Sequence, residues 1–135
     1  MDTSVVMRRM LGQPGAITDW PGWEPAVSVE LIRVEAYRAI DRLRLRDKLT
    51  DAEVADLRMS AQMLMRGLEI VPLSHALLNR EADPFPTVLG ALDAIHLASA
   101  LLWIEENGEP MTFLTHDAQL AIAAGACGFD VKTGP

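Results

Sequence analysis

Short apolar segments alternate with longer helical segments along this chain, and this alternation limits the possible fold more than any other feature. Three segments resemble strands, LEIVPL at 68–73, MTFL at 111–114 and FDVK at 129–132, and residues 26–27 could end a further strand. The stretches between them have the length and apolar spacing of helices. Strands that alternate with helices are typical of a parallel sheet covered on both faces. The sequence therefore predicts an α/β fold, with a short parallel β-sheet flanked by helices in three layers.

The chain has the size expected of one folded unit. Its 135 residues can bury one hydrophobic core and are too few for two ordinary domains, so residues 1–135 are predicted to form a single domain. The longest apolar stretch, residues 89–104, carries Asp93 and His96 and is shorter than the ~20 residues of a membrane span. We therefore expect a buried helix there and no membrane partner.

Cysteine usage and the first residues of the chain bear on the compartment. Cys127 is the single cysteine, which excludes an intrachain disulfide and is typical of a reducing environment. The chain does not open with a basic segment followed by a cleavable apolar one, so nothing indicates export. A cytoplasmic location is the expectation.

Local signals place the helices between the strands. A short helix is predicted for residues 4–11, and a loop rich in proline and glycine follows it. Ser28 is a plausible N-cap for the next helix. Thr50 and Glu53 have the spacing of a capping box and begin another helix, which Gly67 would end. Because only a tight turn separates these two helices, they are expected to form an antiparallel hairpin.

Two of the predicted helices carry a carboxylate on the face that should be buried. Glu35 lies within an apolar stripe formed by Ile32, Ala36, Ala39, Ile40 and Leu43. Asp93 and His96 occupy two positions in the stripe of the long apolar helix. A buried carboxylate is costly unless it is paired or bound to a cation. Taken alone, Asp93 could instead be a helix N-cap, and His96 a core-edge histidine bonded to the backbone or to a neighbour.

Two further acids have positions that suit the end of a strand. Asp117 follows MTFL and precedes a helix, so in isolation an N-cap is the better interpretation. The carboxyl ends of parallel strands are also where α/β proteins place their sites. Asp2 would hold the same kind of position if a strand preceded it.

A site that gathered Asp2, Glu35, Asp93 and Asp117 would contain several negative charges that repel one another. Divalent cations relieve such repulsion, and carboxylate oxygens are ligands that favour Mg²⁺ or Mn²⁺. The sequence has no cysteine pair and no HExxH motif, so zinc has little support. These four acids are therefore the candidate catalytic residues.

Four segments of the chain, taken in series, resemble one protein family. The segments are MDTS, SVELIRVEAYRA, LDAIHLASAL and FLTHDAQLAIAAGACGFDV. Their order and spacing are similar to those of the PIN-domain nucleases, and most similar to the VapC toxins of bacterial type II toxin–antitoxin modules. Each segment is weak by itself, but together they extend over nearly the whole chain. The resemblance implies a PIN-like fold.

The resemblance also implies a role for individual residues. Asp2, Asp93 and Asp117 match acids that would bind the metal, and Glu35 matches a ligand or a base that orients water. Positions that would support these acids are Thr3, Ser4, Thr115 and Arg38. The hydroxyl groups would assist the acids directly, whereas the arginine would act structurally or electrostatically. His96 matches a common family residue that is not usually counted as a metal ligand.

The activity implied by the resemblance is metal-dependent endoribonuclease cleavage of phosphodiester bonds in structured RNA such as tRNA or rRNA. One or two Mg²⁺ ions, with Mn²⁺ as a substitute, would activate water, neutralise the scissile phosphate and stabilise the leaving oxygen. The expected partners are the RNA substrate, a protein antitoxin that blocks the site, and a second copy in a homodimer or a hetero-oligomer.

Two other functions remain open from the residues. The first is a PIN-like binding module that has lost catalysis and keeps only its dimer and antitoxin surfaces. The second is a phosphotransfer enzyme with an aspartyl nucleophile, which is disfavoured because Ser4 stands where dehalogenase-type phosphatases have a second aspartate. Metal-dependent RNA cleavage separates the leading hypothesis from the binding module.

The charge distribution is compatible with an RNA-cleaving enzyme but not with a protein that coats nucleic acid. The formal net charge is −7, whereas nucleic-acid-coating proteins normally carry a basic surface. Arginine and lysine are concentrated within residues 33–48, where a solvated helix face is the simpler interpretation. The second arm of the helical hairpin is rich in methionine, which usually packs in a core but can also receive a partner helix.

Overall fold

The computed structural model describes residues 1–134 and shows short parallel strands separated by helices. In chain order the elements are α1 (Thr3–Met10), a 3₁₀ turn (Trp20–Gly22), β1 (Val27–Val29), α2 (Leu31–Asp47), α3 (Asp51–Arg66), β2 (Glu69–Val71), α4 (His75–Ala82), α5 (Ala91–Asn107), β3 (Thr112–Leu114), α6 (Ala118–Ala126) and β4 (Asp130–Lys132). The predicted α/β class is confirmed. All strand segments expected from the sequence are present, and the first of them lies at 27–29 rather than ending at residue 27.

The strands form two parallel pairs instead of the single sheet that the sequence predicted. In the first pair β1 lies beside β2, with Ser28 opposite Ile70. In the second pair β3 lies beside β4, with Phe113 opposite Val131. The strands β1 and β3 are more buried than β2 and β4, so they are the inner strands of their pairs.

The first two residues of the chain lie between the inner strands and connect the two pairs. The Met1 nitrogen donates to the Val27 carbonyl at 2.8 Å, and the Asp2 amide donates to the Leu114 carbonyl at 3.2 Å. The Ser28 hydroxyl donates to the Met1 carbonyl at 2.8 Å. Because this bridge is only two residues long, it joins the pairs at one end and does not extend along them.

Beyond Met1 the facing edges of β1 and β3 border a cavity of about 470 Å³, which we call the slot. Its two sides include Pro25 and Val27 on one edge and Pro110 and Thr112 on the other. Backbone carbonyls point alternately to the two sides of a strand. The carbonyls of Val27 and Leu114 bond to Met1 and Asp2, so the carbonyls two positions earlier, at Pro25 and Thr112, face the same gap. The slot therefore runs between two strand edges that are not paired with each other.

The start of α2 differs from the sequence prediction. Ser28 was expected to cap this helix, but it lies in β1, and α2 begins at Leu31 with Glu30 as its N-cap. The hydroxyl of Ser28 is used across the structure, in the bond to the Met1 carbonyl. Pairing of β1 with β2 extends the strand past the position that local propensity assigned to the helix, which is a tertiary effect.

Other local predictions are confirmed. Thr50 and Glu53 form a complete capping box at the start of α3, and Gly67 follows its last residue. Ser74 caps α4 by accepting from the Leu77 amide at 3.1 Å. The helices α2 and α3 pack on each other and on α1, as expected for a short-turn hairpin.

The long helix α5 packs between the strands and the remaining helices. It contacts β1, α4 and α6, and α6 covers both β3 and β4. Its buried face includes Leu97 and Ala98, which join different hydrophobic clusters. Among residues 1–134, no helix is both long enough and apolar enough to cross a membrane.

Candidate active site

The four acids singled out from the sequence come from four different elements. Asp2 immediately precedes α1, Glu35 lies in the second turn of α2, Asp93 lies in the first turn of α5, and Asp117 is the N-cap of α6. The charges of the other three acids all raise the pKa of Asp93. The fold therefore brings these acids, which are far apart in sequence, within electrostatic range of one another. We call this group the acid cluster.

Asp2 is held rigidly at the base of the cluster and is only 5% exposed. Its Oδ1 atom accepts a hydrogen bond from the Ser4 hydroxyl at 2.7 Å, and that hydroxyl oxygen accepts from the His116 amide at 2.9 Å. Burial raises the pKa of Asp2, while hydrogen bonds from Ser4 and Thr115 act in the opposite direction. The start of α1 is thus bound to the end of β3 through the acid and its neighbouring hydroxyl.

Asp117 has the capping role that its sequence position suggested, and it also faces solvent. Its Oδ1 atom accepts from the Leu120 amide at 2.8 Å, while the side-chain oxygen of the fully buried Thr115 accepts from the Asp117 amide at 2.9 Å. The cap uses one carboxylate oxygen. Among the side-chain hydrogen bonds of residues 1–134, none involves the other oxygen of Asp117.

Asp93 does not have the capping role that was considered for it. Gly90 is the N-cap of α5, and Asp93 lies one turn further on, half-buried, where a negative charge interacts favourably with the helix dipole. Burial raises the pKa of Asp93 most, followed by repulsion from Asp117 and Asp2. The carboxyl group is therefore in surroundings with excess negative charge.

Glu35 is the acid of the cluster that is best supplied with hydrogen-bond donors. Its Oε2 atom lies 2.6 Å from the Thr3 hydroxyl and 2.6 Å from Nε2 of His96. Burial by itself raises the pKa of Glu35, but the bonds from His96 and Thr3 and the charge of Arg42 leave it below its usual value. His96 is thus a buried histidine bonded to a neighbour, as the simpler interpretation of the sequence held, and the neighbour is a candidate catalytic residue.

The arginines of α2 differ from the expectation in one respect. Arg38, proposed as a supporting residue, is exposed and lies 3.4 Å from Asp41, with which it forms an ion pair. Arg42 is the one whose charge acts on Glu35. A spacing of seven residues places Arg42 and Glu35 on the same side of a helix, so this signal was available in the sequence. A role for Arg38 at the acids stays a prediction.

The donor chemistry of the cluster can be compared with that of a divalent-cation site. Within residues 1–134, no three histidine, cysteine, aspartate or glutamate side chains are arranged so that they could hold a metal ion together as they stand. The oxygens of the cluster are nevertheless of the type that Mg²⁺ and Mn²⁺ prefer. The raised pKa of Asp93 reflects both its burial and negative charge that nearby cationic side chains do not balance. The residue types and charge therefore fit a hard cation. The side chains of residues 1–134, as they stand, do not form a complete set of ligands around one ion.

Comparison with known proteins gives a consistent result. No protein-family model matches the chain. The chain is 28% identical over 137 aligned residues to "Ribonuclease VapC47" of Mycobacterium tuberculosis (strain CDC 1551 / Oshkosh). The alignment covers 96% of this chain and 91% of that relative. Along nearly its whole length, the chain is thus similar to a protein named as a VapC ribonuclease.

Proposed function

We propose that this protein is a metal-dependent endoribonuclease that hydrolyses phosphodiester bonds of structured RNA, and that it is the toxin of a type II toxin–antitoxin pair. The observation that carries the proposal is the convergence of four carboxylates from four elements, one of them 5% exposed, in a region of unbalanced negative charge. Such a cluster is costly in a protein that uses it only for stability. The similarity to a VapC ribonuclease supports the same activity.

In this proposal Asp2, Asp93 and Asp117 hold Mg²⁺, for which Mn²⁺ can substitute. When bound, the cation supplies Lewis-acid stabilisation of the charge that develops on the scissile phosphate and lowers the pKa of water. Asp2 is fixed by Ser4, whereas Asp117 is exposed and one of its oxygens is not used in the cap. The fixed acid would set the position of the site, and rotation of the exposed carboxylate would complete it.

The residues around the acids have separate tasks. Glu35, held as a carboxylate below its usual pKa, orients the attacking water and accepts its proton. Two arginines are candidates: the charge of Arg42 acts on Glu35, and Nη1 of Arg8 lies 3.3 Å from Nδ1 of His116, the residue before Asp117. We propose that these two side chains contact phosphates of the RNA backbone, which position a substrate without reading its sequence. An overall acidic protein needs such a local basic region to bind RNA.

Exposed apolar side chains support the expected protein partners. On α2 and α3, Val34, Met59 and Met63 are exposed, and methionine surfaces adapt to partner helices. We propose that the antitoxin binds there. Leu78 on α4 and Val88 before α5 are also exposed, and we propose that they belong to a homodimer interface.

The binding module without catalysis is the second candidate. It is favoured by the open arrangement of the acids, since no three of the ligand-type side chains in residues 1–134 could hold an ion as they stand. In that case the acid cluster would bind no cation at useful concentrations, and only the partner surfaces would be functional.

Cleavage of end-labelled RNA tests the proposal. Antitoxin-free protein is incubated with a panel of tRNAs and rRNA hairpins in Mg²⁺, Mn²⁺ or EDTA, and its Asp93→Asn variant is assayed in parallel. Asp56→Asn is the matched control, because Asp56 is an exposed acid on α3. We expect discrete cuts with the wild type and the control, and no cuts with EDTA or with Asp93→Asn.

Calorimetry separates the two candidates if no RNA in the panel is cut. Mn²⁺ binding that Asp93→Asn abolishes and Asp56→Asn retains would keep the nuclease proposal and direct attention to the choice of RNA. A folded protein that neither cuts RNA nor binds Mn²⁺ through Asp93 would contradict the proposal and favour the binding module.

A further inference from the structure

One oxygen of Glu35 receives two hydrogen bonds, while the other receives none from residues 1–134. Thr3, the first residue of α1, and His96, in the second turn of α5, both approach Oε2 at 2.6 Å. The hydroxyl of Thr3 also lies 3.4 Å from Nε2 of His96. Three helices are therefore joined at a single carboxylate oxygen.

The position of the proton on His96 follows from its surroundings. The side chain is buried, and its Nδ1 atom has no hydrogen-bond partner within residues 1–134. A proton on Nδ1 would be a buried donor without an acceptor, which is costly. A proton on Nε2 points at a carboxylate oxygen and forms a charge-assisted hydrogen bond. These surroundings favour a proton on Nε2 of His96.

Both donors are held in place by burial. Thr3 is 8% exposed and His96 is 3% exposed, so neither can rotate into solvent without disturbing the packing of α1 or α5. Glu35 is more accessible, with 20% of its side chain exposed. Because two buried donors hold one oxygen of the Glu35 carboxylate, the direction of its other oxygen is restricted.

We propose that Thr3 and His96 are positioning residues that clamp Oε2 of Glu35, so that only Oε1 is presented to the acid cluster and to water. The inference rests on the proposed function, since it states how the base of that reaction is oriented. In this arrangement His96 does not bind the metal and does not transfer a proton. Its contribution is the direction and the charged state of Glu35.

The first test uses the cation-free protein and does not depend on catalysis. Nitrogen-15 NMR of the histidine side chains is expected to show that Nε2 of His96 carries a proton. Thr3→Val removes the hydroxyl with little change of shape, and it should shift the Glu35 carboxyl resonance while Thr3→Ser leaves it unchanged. An Nε2 atom without a proton, or an unshifted Glu35 resonance in a folded Thr3→Val protein, would overturn the clamp.

The second test separates positioning from a merely structural role. Thr3→Val and His96→Gln should each lower kcat for RNA cleavage by about tenfold or more, the effect of one lost bond to a charged group, with KM changed less than twofold. Thr3→Ser should restore kcat, and His75→Gln, on the exposed start of α4, is the control. Because both donors act on one oxygen, the double variant should lose less than the product of the single losses.

The two hypotheses fail in different ways. A wild-type protein that cuts no RNA contradicts the proposed function, but the NMR result in the cation-free protein still decides whether the clamp exists. If Thr3→Val loses activity only to the extent that it loses folded protein, and Thr3→Ser restores neither, then Thr3 acts only in packing.

Discussion

At the scale of single residues, the acids of the cluster have opposite electrostatic surroundings. Burial raises the pKa values of Asp2 and Asp93, and repulsion within the cluster raises that of Asp93 further. Glu35 is also partly buried, yet its two donors and the charge of Arg42 lower its pKa. The cluster thus combines one carboxylate whose ionised form is favoured by its donors with two acids whose ionised form is disfavoured by burial.

The raised pKa of Asp93 predicts a specific dependence of stability on pH. The pKa of Asp93 is higher in the folded state than in the unfolded chain, so this residue destabilises the protein increasingly as the pH rises from the ordinary pKa of an aspartate to the raised one. Asp93→Asn lacks this effect. In EDTA, the free energy of unfolding of the wild type relative to Asp93→Asn should fall as the pH rises above about 4, the ordinary pKa of an aspartate, and should become constant above the raised pKa. Urea unfolding at several pH values measures it, and a difference independent of pH would contradict the prediction.

Cation binding should stabilise the wild type relative to Asp93→Asn, which is opposite to the effect of the uncompensated Asp93 charge. A ligand that binds the folded protein and not the unfolded chain raises the melting temperature, and the rise grows with the ratio of free ligand to Kd. We expect Mn²⁺ to raise the Tm of the wild type and to leave that of Asp93→Asn almost unchanged. Thermal unfolding with Mn²⁺ and with EDTA is the measurement, and an equal shift in both proteins would place the cation outside the cluster.

At the scale of elements, local signals are reliable where the partners are close in sequence. The capping box of Thr50 and Glu53, the cap at Ser74 and the cap at Asp117 are all present, because each bond spans only three residues. Ser28 has equally good capping chemistry and does not cap a helix, because pairing with β2 keeps it in a strand. The sequence prediction for Ser28 is therefore wrong because a distant segment, β2, decides the local structure.

The capping box gives a prediction for α3. Thr50→Ala removes the acceptor for the Glu53 amide, a bond of 3.2 Å, and should lower the free energy of unfolding by about 1 kcal/mol. Ser60→Ala, on the exposed side of the same helix, should change it by less than about 0.5 kcal/mol. Chemical denaturation of both variants tests this, and equal effects would show that the box contributes nothing.

The slot between β1 and β3 gives a prediction for the strands. Its two strand edges are not paired with each other, and Met1, the pKa of whose amine burial lowers to about 6, is one of the residues that line it. Four β-branched residues fused to Met1 should enter the slot, pair with both edges and raise the free energy of unfolding by about 1–3 kcal/mol.

A fusion of four Gly-Ser residues is the control for this experiment, because it also replaces the charged amine with a peptide bond but has low strand propensity. Thermal unfolding compares the two fusions. If both stabilise the protein equally, the gain comes from removing the buried charge, and the slot does not accept a strand.

At the scale of the whole molecule, function is proposed to depend on surfaces as much as on the acid cluster. The exposed side chains of Leu78 and Val88 lie apart in sequence from those of the α2–α3 hairpin. The proposed antitoxin and the proposed second copy need separate surfaces, so we assign one to each. The acidic net charge of −7 disfavours non-specific contact with RNA, so the proposed RNA binding would depend on local basic groups.

The proposed dimer surface can be tested by charge insertion. Leu78→Glu and Val88→Glu place a charge where an apolar contact would be desolvated, and each should shift the protein to a monomer in size-exclusion chromatography with light scattering. Leu45→Glu is the control, because Leu45 is 82% exposed on a different helix. A wild type that is already monomeric, or dimers in all three variants, would exclude this interface.

The sequence by itself determined the α/β class, most helix starts and the identity of the four acids. These features follow from periodicity, from caps that span three residues, from the cost of burying a carboxylate and, for Asp2 and Asp117, from positions that suit the end of a strand. Only the tertiary structure decided that β1 and β3 belong to separate pairs joined by Met1 and Asp2, and that His96 bonds to Glu35. Those contacts join residues far apart in the chain, and no local pattern encodes the distance between them.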